Sequence, residues 1–146
     1  MNRETIEPRI AKLKENLIAQ FGKMSPQHMI EHLSITIKIS YEKIKLPDFE
    51  PTERQLAQKN ALIHTDVEFP KGIKAPGLED RLLDLRYPDL ETAKRELLKS
   101  IDDYNSFFNV NPDKLTTHPI LGKLSYQEWE EFHMKHIRHH FSQFGI

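Results

Sequence analysis

Apolar side chains recur at helical spacing along most of the chain. In the first predicted helix, from about Arg3 to Gln20, they lie three or four positions apart, at Ile6, Ile10, Leu13 and Leu17. Gly22 follows the last of them and is expected to end this helix. The chain should therefore turn here before a second helix begins.

The second helix is predicted to begin after Ser25, because a serine followed by a proline provides an N-cap hydroxyl and a residue suited to the first helical position. It should run to about Lys45, where Leu46-Pro47 stops it. On a helical wheel, the residues within about 60° of His32 include Met29, Ile35, Thr36 and Ile39. The opposite side carries Glu31, Lys38 and Glu42. The pattern thus directs His32 toward the core.

Two further long helices are predicted in the second half of the chain. One runs from about Asp89 to Phe108, with apolar residues at Leu90, Ala93, Leu97, Ile101, Tyr104 and Phe108. The other begins at Ser125-Tyr126-Gln127-Glu128, which has the form of a capping box. It should end near Phe144, before Gly145.

The last of these helices is rich in histidine. Four of the eight histidines of the chain lie in one window of eight residues: His133, His136, His139 and His140. On the wheel, the residues within about 60° of His133 include Trp129, His136, Ile137, His140 and Phe144. His139 lies about 120° away. Three of the four clustered histidines are therefore expected on the apolar face.

Residues 46–87 are expected to form a long connection. Prolines and glycines punctuate it at Pro47, Pro51, Pro70, Gly72, Pro76 and Gly77. Within it, Thr52-Glu53-Arg54-Gln55 has the form of another capping box, so a short helix could run from there to about Ile63. A connection of this length usually has a function or a structure of its own, and this one could cover a site.

Together these elements predict an all-α protein, a four-helix bundle with a long connection between the second and third main helices. The alternation of Val67 and Phe69 covers too few residues to predict a sheet. A length of 146 residues fits a single domain over residues 1–146.

Composition and charge exclude several classes of function. With 38% hydrophobic residues, 29% charged residues and a net charge of −1, the chain has an ordinary globular composition and no basic stripe for nucleic acid. Because there is no cysteine, any metal must be bound by nitrogen or oxygen. Since neither a signal-peptide pattern nor a run of about 18 apolar residues appears, we expect a cytoplasmic protein that does not bind a membrane.

The spacing of His136 and His140 is suited to metal binding. Side chains four positions apart share one helix face, so the two imidazoles can bind the same ion. His32 is the best third ligand, and three histidines would leave one coordination position open. The spacing alone is equally compatible with a hydrogen-bonded polar layer in the core.

The remaining histidines have weaker assignments. His133 could replace His140 as the second ligand of the last helix, but we expect it to donate a hydrogen bond to a ligand or to line the mouth of the pocket. His28 is expected at the rim of its helix, and His139 is expected to face solvent or a partner chain. His118 precedes a proline, which favours a role in a turn.

Two segments of the chain resemble the DinB-like (YfiT-like) superfamily of metal-binding four-helix bundles. One is the run from Lys23 to Leu33; the other runs from His118 to Ser125 and continues in His136-Ile137-Arg138-His139-His140 and on to Gly145. The most similar branch is catalogued as a domain of unknown function, and the resemblance covers nearly the whole chain.

The resemblance implies a divalent metal ion, zinc or nickel, bound by one histidine of the second helix and an i,i+4 pair of the last. By position these are His32, His136 and His140. It also implies a homodimer formed through helical surfaces. Characterised members of the superfamily include thiol-dependent S-transferases and metal-dependent hydrolases, whereas the residues of this chain do not identify a substrate.

We therefore expect a metal-dependent hydrolase or thiol S-transferase that acts on a small molecule. Catalytic residues beyond the metal ligands are not identified; if the connection folds over the metal, its polar candidates are His64, Asp66, Glu68 and Tyr87. The alternative is a non-catalytic helical binding or interaction module, in which the metal is absent or structural.

Overall fold

Five helices and one short hairpin make up the described part of the chain. The computed structural model describes residues 1–71 and 82–146, so Gly72, Pro76 and Gly77 of the predicted connection lie outside it. In chain order the elements are α1 (Arg3–Ile10), α2 (Pro26–Ser40), α3 (Glu53–His64), α4 (Leu90–Val110), β1 (Thr116–His118), β2 (Gly122–Leu124) and α5 (Tyr126–Ser142). The molecule is mostly helical, as predicted, but it also contains a small sheet.

The predicted helix starts are confirmed by their caps. The Ser25 hydroxyl accepts a hydrogen bond from the backbone N–H of His28 at the start of α2. Both predicted capping boxes are formed, with Thr52 at the start of α3 and Ser125 at the start of α5. Such side chains satisfy backbone N–H groups that have no partner within the helix.

The predicted end of the first helix is wrong, because α1 stops at Ile10 instead of continuing to Gln20. The chain then proceeds through turns, and its backbone groups bind other parts of the molecule. The buried Lys94 ammonium donates to the Leu13 carbonyl at 2.8 Å, and the Gln20 N–H donates to the Gln143 carbonyl at 2.7 Å. These tertiary bonds replace helical ones.

The second helix is also shorter than predicted. It ends at Ser40 instead of Lys45, and Glu42 adopts a left-handed backbone conformation with φ of 59°. The Ser40 carbonyl accepts a hydrogen bond from the Thr116 hydroxyl at 2.7 Å. A side chain of the hairpin therefore satisfies a backbone group near the end of α2.

The hairpin of β1 and β2 contradicts the expectation that the chain contains no strand. The two strands are antiparallel, with Thr116 opposite Leu124 and His118 opposite Gly122. The three residues of β1 are all polar and all buried, so the strand shows no alternation of polar and apolar residues. The imidazole Nδ1 of His118 accepts from the N–H groups of Ile120 and Leu121, which gives His118 the turn role expected of it.

The core lies where α2, α4 and α5 face one another. Helix α2 packs along α4 and also contacts α5, whereas α1 lies on α4 and α3 lies on α5. Large side chains that are fully buried include Met29, Ile101, Tyr104, Trp129 and Phe141. The packing brings the middle of α2 beside the second half of α5, the two segments that carry the candidate ligands. Among the described residues, no helix is long and apolar enough to cross a membrane.

Candidate metal centre

The three histidines expected to bind metal lie together between α2 and α5. His32 projects from α2, and His136 and His140 project from successive turns of α5. One ring nitrogen from each lies within 4.8 Å of the other two. The Nε2 atom of His136 is central, at 2.9 Å from Nε2 of His32 and 3.0 Å from Nε2 of His140. Residues that are 104 positions apart in the chain thus present the same atom to one point.

This arrangement fits a single metal ion. Nitrogen ligands of a tetrahedral zinc ion lie about 3.3 Å from one another. The two Nε2 separations of 2.9 and 3.0 Å would therefore widen by only a few tenths of an ångström to take such an ion. The ring centroids of the three imidazoles lie 4.6 to 4.9 Å apart. The group consists of imidazoles alone, a donor set that suits zinc, nickel and other transition metals.

Burial keeps all three imidazoles neutral at neutral pH. Removal from water lowers the pKa of His32 to about 4 and that of His140 to about 3. The pKa of His136 is well below its ordinary value, first because the ring is buried and then because His140 and His32 are so close. Since only a neutral imidazole has a lone pair for a metal, the protein holds the ligands in the form that binds.

The non-coordinating nitrogens of the three rings have different surroundings. Nδ1 of His140 lies 2.7 Å from the amide oxygen of Gln143. Nδ1 of His136 is buried and has no hydrogen-bond partner among the described residues. The ring of His136 is instead enclosed by aromatic side chains, with centroids 5.2 Å from Phe132 and 5.5 Å from Phe69. Phe69 comes from the connection after α3, so this segment does contribute a wall to the site.

Two buried charged residues attach this connection to the helices that carry the histidines. The ammonium of Lys135 donates to three backbone carbonyls at 2.6 to 2.9 Å. One is that of Leu62 in the last turn of α3, and the others are those of Thr65 and Val67, which follow the helix. The carboxylate of Glu31 accepts from the backbone N–H groups of residues 86 and 87, at 2.7 and 3.2 Å. Lys135 directly precedes His136 and Glu31 directly precedes His32, so both attachments lie beside the candidate ligands.

Glu31 corrects one expectation from the helical wheel. It is placed by the wheel on the polar side of α2, yet its side chain is buried, with 5% exposed. The residues of the connection cover it and supply donors for its oxygens. His32, predicted on the buried side, is only half-buried. The helical wheel assumes that only one face of α2 is buried against the core. In the structure, the connection covers a second face of this helix.

His133 is buried on α5, as the wheel predicts, with 1% exposed. Its Nε2 lies 3.0 Å from the Ser40 hydroxyl, and its ring stacks on Trp129 at 5.2 Å. Among the described residues, the group of histidines that could hold a metal ion does not include it. The structure therefore places His133 in the core near the end of α2.

The other histidines lie around the centre. His28 is half-buried, with Nδ1 2.7 Å from the Ser25 hydroxyl. His139 is half-buried between Phe21 and Phe69, with ring centroids 5.7 and 5.9 Å away.

The four polar candidates from the connection are engaged elsewhere or exposed. His64 and Glu68 bind Glu128 and Arg138 on the surface. The Tyr87 hydroxyl lies 2.9 Å from the Lys38 ammonium, and Asp66 is exposed. In the part of the chain that the structure describes, none of the four contacts the three histidines.

Sequence reasoning did not single out Gln143, Phe69, Lys135 or Glu31. Gln143 lies three positions after His140, a spacing that places two side chains on one helix face and is the available signal for their contact. Glu31 and Lys135 are charged residues at positions that tertiary contacts bury, and nothing in the periodicity predicts such contacts.

Comparison with known proteins identifies one family. The model of a family of proteins of unknown function, DUF1569, matches residues 3–145. No curated protein and no solved structure matches the chain.

Proposed function

This chain belongs to the DUF1569 family, and we propose that it binds a divalent transition-metal ion through His32, His136 and His140. The observation that supports the proposal is the convergence of three imidazoles from two helices, with one ring nitrogen of each within 4.8 Å of the other two. A polar layer in the core would require donors and acceptors to alternate. Three neutral imidazoles that direct their Nε2 atoms at one point can all bind a cation there with their lone pairs. They cannot all form hydrogen bonds to one another through those same atoms.

The proposed ion is zinc or nickel. Imidazole nitrogen suits both, and the group includes no carboxylate that would favour magnesium or calcium. Because all three ligands are neutral, they leave the charge of the ion uncompensated. The centre should therefore attract an anionic or strongly polar fourth ligand.

The proposal extends to the fold and the assembly. The histidine positions and the helical architecture agree with a relationship to the DinB-like superfamily, with α1, α2, α4 and α5 as the four helices of its bundle. A cytoplasmic homodimer is the form we propose, in keeping with that relationship.

We propose that the centre catalyses hydrolysis or thiol transfer on a small molecule. A metal with three histidine ligands and an open position acts as a Lewis acid toward a carbonyl, water or thiol. The chain's own contribution is to hold the imidazoles neutral and to surround His136 with Phe69 and Phe132. Aromatic walls exclude water and strengthen electrostatic interactions within the site.

Metal content tests the binding proposal. Protein purified without a metal-affinity tag should contain about one zinc or nickel ion per chain, measured by inductively coupled plasma mass spectrometry. H136A and H140A should each lose it, because removal of one of three ligands leaves a weak pair. The control is H64A, which removes an exposed histidine that binds Glu128. Metal content that is unchanged in both H136A and H140A would contradict the proposal.

The open position separates an enzyme from a non-catalytic interaction module. In cobalt-substituted protein, addition of azide or 2-mercaptoethanol should change the visible absorption spectrum, because each can occupy a free coordination position. A spectrum that neither probe alters would indicate a fully coordinated structural metal and would rule out the catalytic proposal.

A further inference from the structure

We infer that Gln143 is a positioning residue of the metal centre, whose amide oxygen fixes the tautomer in which His140 can bind an ion. The inference rests on the proposed metal-binding function. Nδ1 of His140 and Oε1 of Gln143 are 2.7 Å apart, and the two side chains are 7% and 6% exposed. A contact this short between buried groups is a hydrogen bond without competition from water.

The chemistry of the pair determines where the proton lies. A neutral imidazole has one N–H, and an amide oxygen can only accept a hydrogen bond. The proton of His140 is therefore on Nδ1, which leaves the lone pair on Nε2. Nε2 is the atom that lies 3.0 Å from Nε2 of His136. The amide of Gln143 thus selects the nitrogen that faces the proposed ion.

The surrounding backbone holds the amide in this orientation. The Gln143 carbonyl accepts from the N–H of Gln20 at 2.7 Å, which attaches the end of α5 to the segment before α2. Gly22 in that segment lies so close that an added Cβ would be 2.7 Å from Nε2 of Gln143. The NH₂ end of the amide is therefore packed against a residue without a side chain, and the oxygen end is left to face His140.

Gln143 is the one support of this kind among the described residues. By contrast, Nδ1 of His136 is buried and has no hydrogen-bond partner among the residues that the structure describes. Hydrogen bonds of this type on metal ligands typically change metal affinity by about 10- to 100-fold. The effect of losing Gln143 should therefore be large enough to measure.

Two substitutions separate the acceptor from the bulk of the side chain. Gln143→Leu keeps the approximate volume and removes the acceptor, so zinc affinity measured by competition with a chelator should fall about 10- to 100-fold. Gln143→Glu retains an acceptor oxygen and should restore affinity to near that of the unaltered protein. In cobalt-substituted Q143E, the visible bands should also shift, because a carboxylate makes the imidazole a stronger donor.

Long-range ¹H–¹⁵N NMR of the histidine rings provides a readout that needs no metal. In the metal-free protein His140 should show a proton on Nδ1, and in Q143L it should show a mixture of tautomers. If Gln143 only filled space, Q143L would give the same histidine spectrum as the unaltered protein, and Q143E would have no loss to restore. If Q143L does not fold, the role of Gln143 is tested on Q143E, by the tautomer of His140 and by the shift of the cobalt bands.

Thr116→Val is the matched control, because it removes buried hydrogen bonds to Trp129 and Ser40 away from the three histidines. It should lower stability and leave zinc affinity unchanged. Equal zinc affinity and identical tautomers in Q143L and the unaltered protein would overturn the role of Gln143 while leaving the metal site intact. Absence of metal binding in the unaltered protein would overturn both.

Discussion

Gly22 determines, at the scale of a single residue, how Gln143 reaches His140. Its φ of +80° lies in the left-handed region, which glycine adopts without the steric cost that other residues incur. Its missing side chain also leaves the space that the Gln143 amide occupies. One residue therefore satisfies a backbone requirement and a packing requirement of the metal centre.

Gly22→Ala should lower both stability and metal affinity. The left-handed conformation costs an alanine about 1 kcal/mol, and the new Cβ would displace the Gln143 amide. Chemical denaturation and chelator competition measure the two effects. Gly122→Ala is a close control, since Gly122 has φ of +73° and its added Cβ would meet Pro51 at 2.5 Å. G122A should lose stability and keep its metal affinity, and an equal loss of affinity in both variants would contradict the local effect of Gly22.

The three candidate ligands were predictable because their signals are local. An i,i+4 pair identifies His136 and His140, and a wheel places His32 toward the core. The role of Gln143 depends on the approach of Gly22 from a distant segment. No spacing rule contains that information. The sequence therefore predicts the three histidines, and its i,i+3 spacing allows Gln143 to contact His140, but it does not predict the approach of Gly22.

At the scale of elements, the sequence predicts the helix starts and, to within two residues, the ends of α3, α4 and α5, but not the ends of α1 and α2. A start depends on a capping side chain a few residues away, as at Ser25 and Ser125. Thr116 binds the carbonyl of Ser40, the last residue of α2, and Lys94 binds the carbonyl of Leu13, three residues past the end of α1; both donors come from other elements. The hairpin escaped prediction because strands of three residues are too short to show a period.

Lys135 is the main polar attachment between α5 and the segment that follows α3. Its ammonium donates to three carbonyls, and hydrogen bonds to a charged group contribute about 1.5–3 kcal/mol. Lys135→Met should therefore destabilise the protein by about 2–3 kcal/mol in urea denaturation. It should also increase hydrogen exchange of backbone amides in residues 62–69.

Lys94→Met is the matched control for this change. Lys94 is equally buried, but its ammonium binds the Leu13 carbonyl and Glu91. K94M should lower stability without raising exchange in residues 62–69. If K135M leaves exchange in that segment at the level of the unaltered protein, the attachment has no local effect.

At the scale of the whole molecule, buried histidines make the fold sensitive to acid. Burial lowers the pKa of both His118 and His133 to about 3. In the unfolded chain both have the ordinary value of about 6.5. Between these values the unfolded state binds protons that the folded state does not, so stability is complete above pH 6.5 and falls as the pH decreases.

The expected loss at pH 5 is about 2 kcal/mol for each of these two residues. Urea denaturation of the metal-free protein at pH 7.5 and pH 5 measures it. His133→Gln should show a smaller difference between the two pH values, whereas His64→Gln, an exposed residue, should match the unaltered protein. Equal stability at both pH values would contradict protonation-linked unfolding.

The 104 positions between His32 and His136 have a consequence for the entropy of the chain. With the proposed ion bound, the centre is a crosslink between distant segments, and a covalent crosslink over about 100 residues lowers the entropy of the unfolded chain by the equivalent of about 4–5 kcal/mol. Helices α2 and α5 cannot separate until His32 releases the ion. Unfolding and metal release therefore become a single event. The metal-loaded chain behaves as a closed loop, held closed by the bond between the His32 imidazole and the ion.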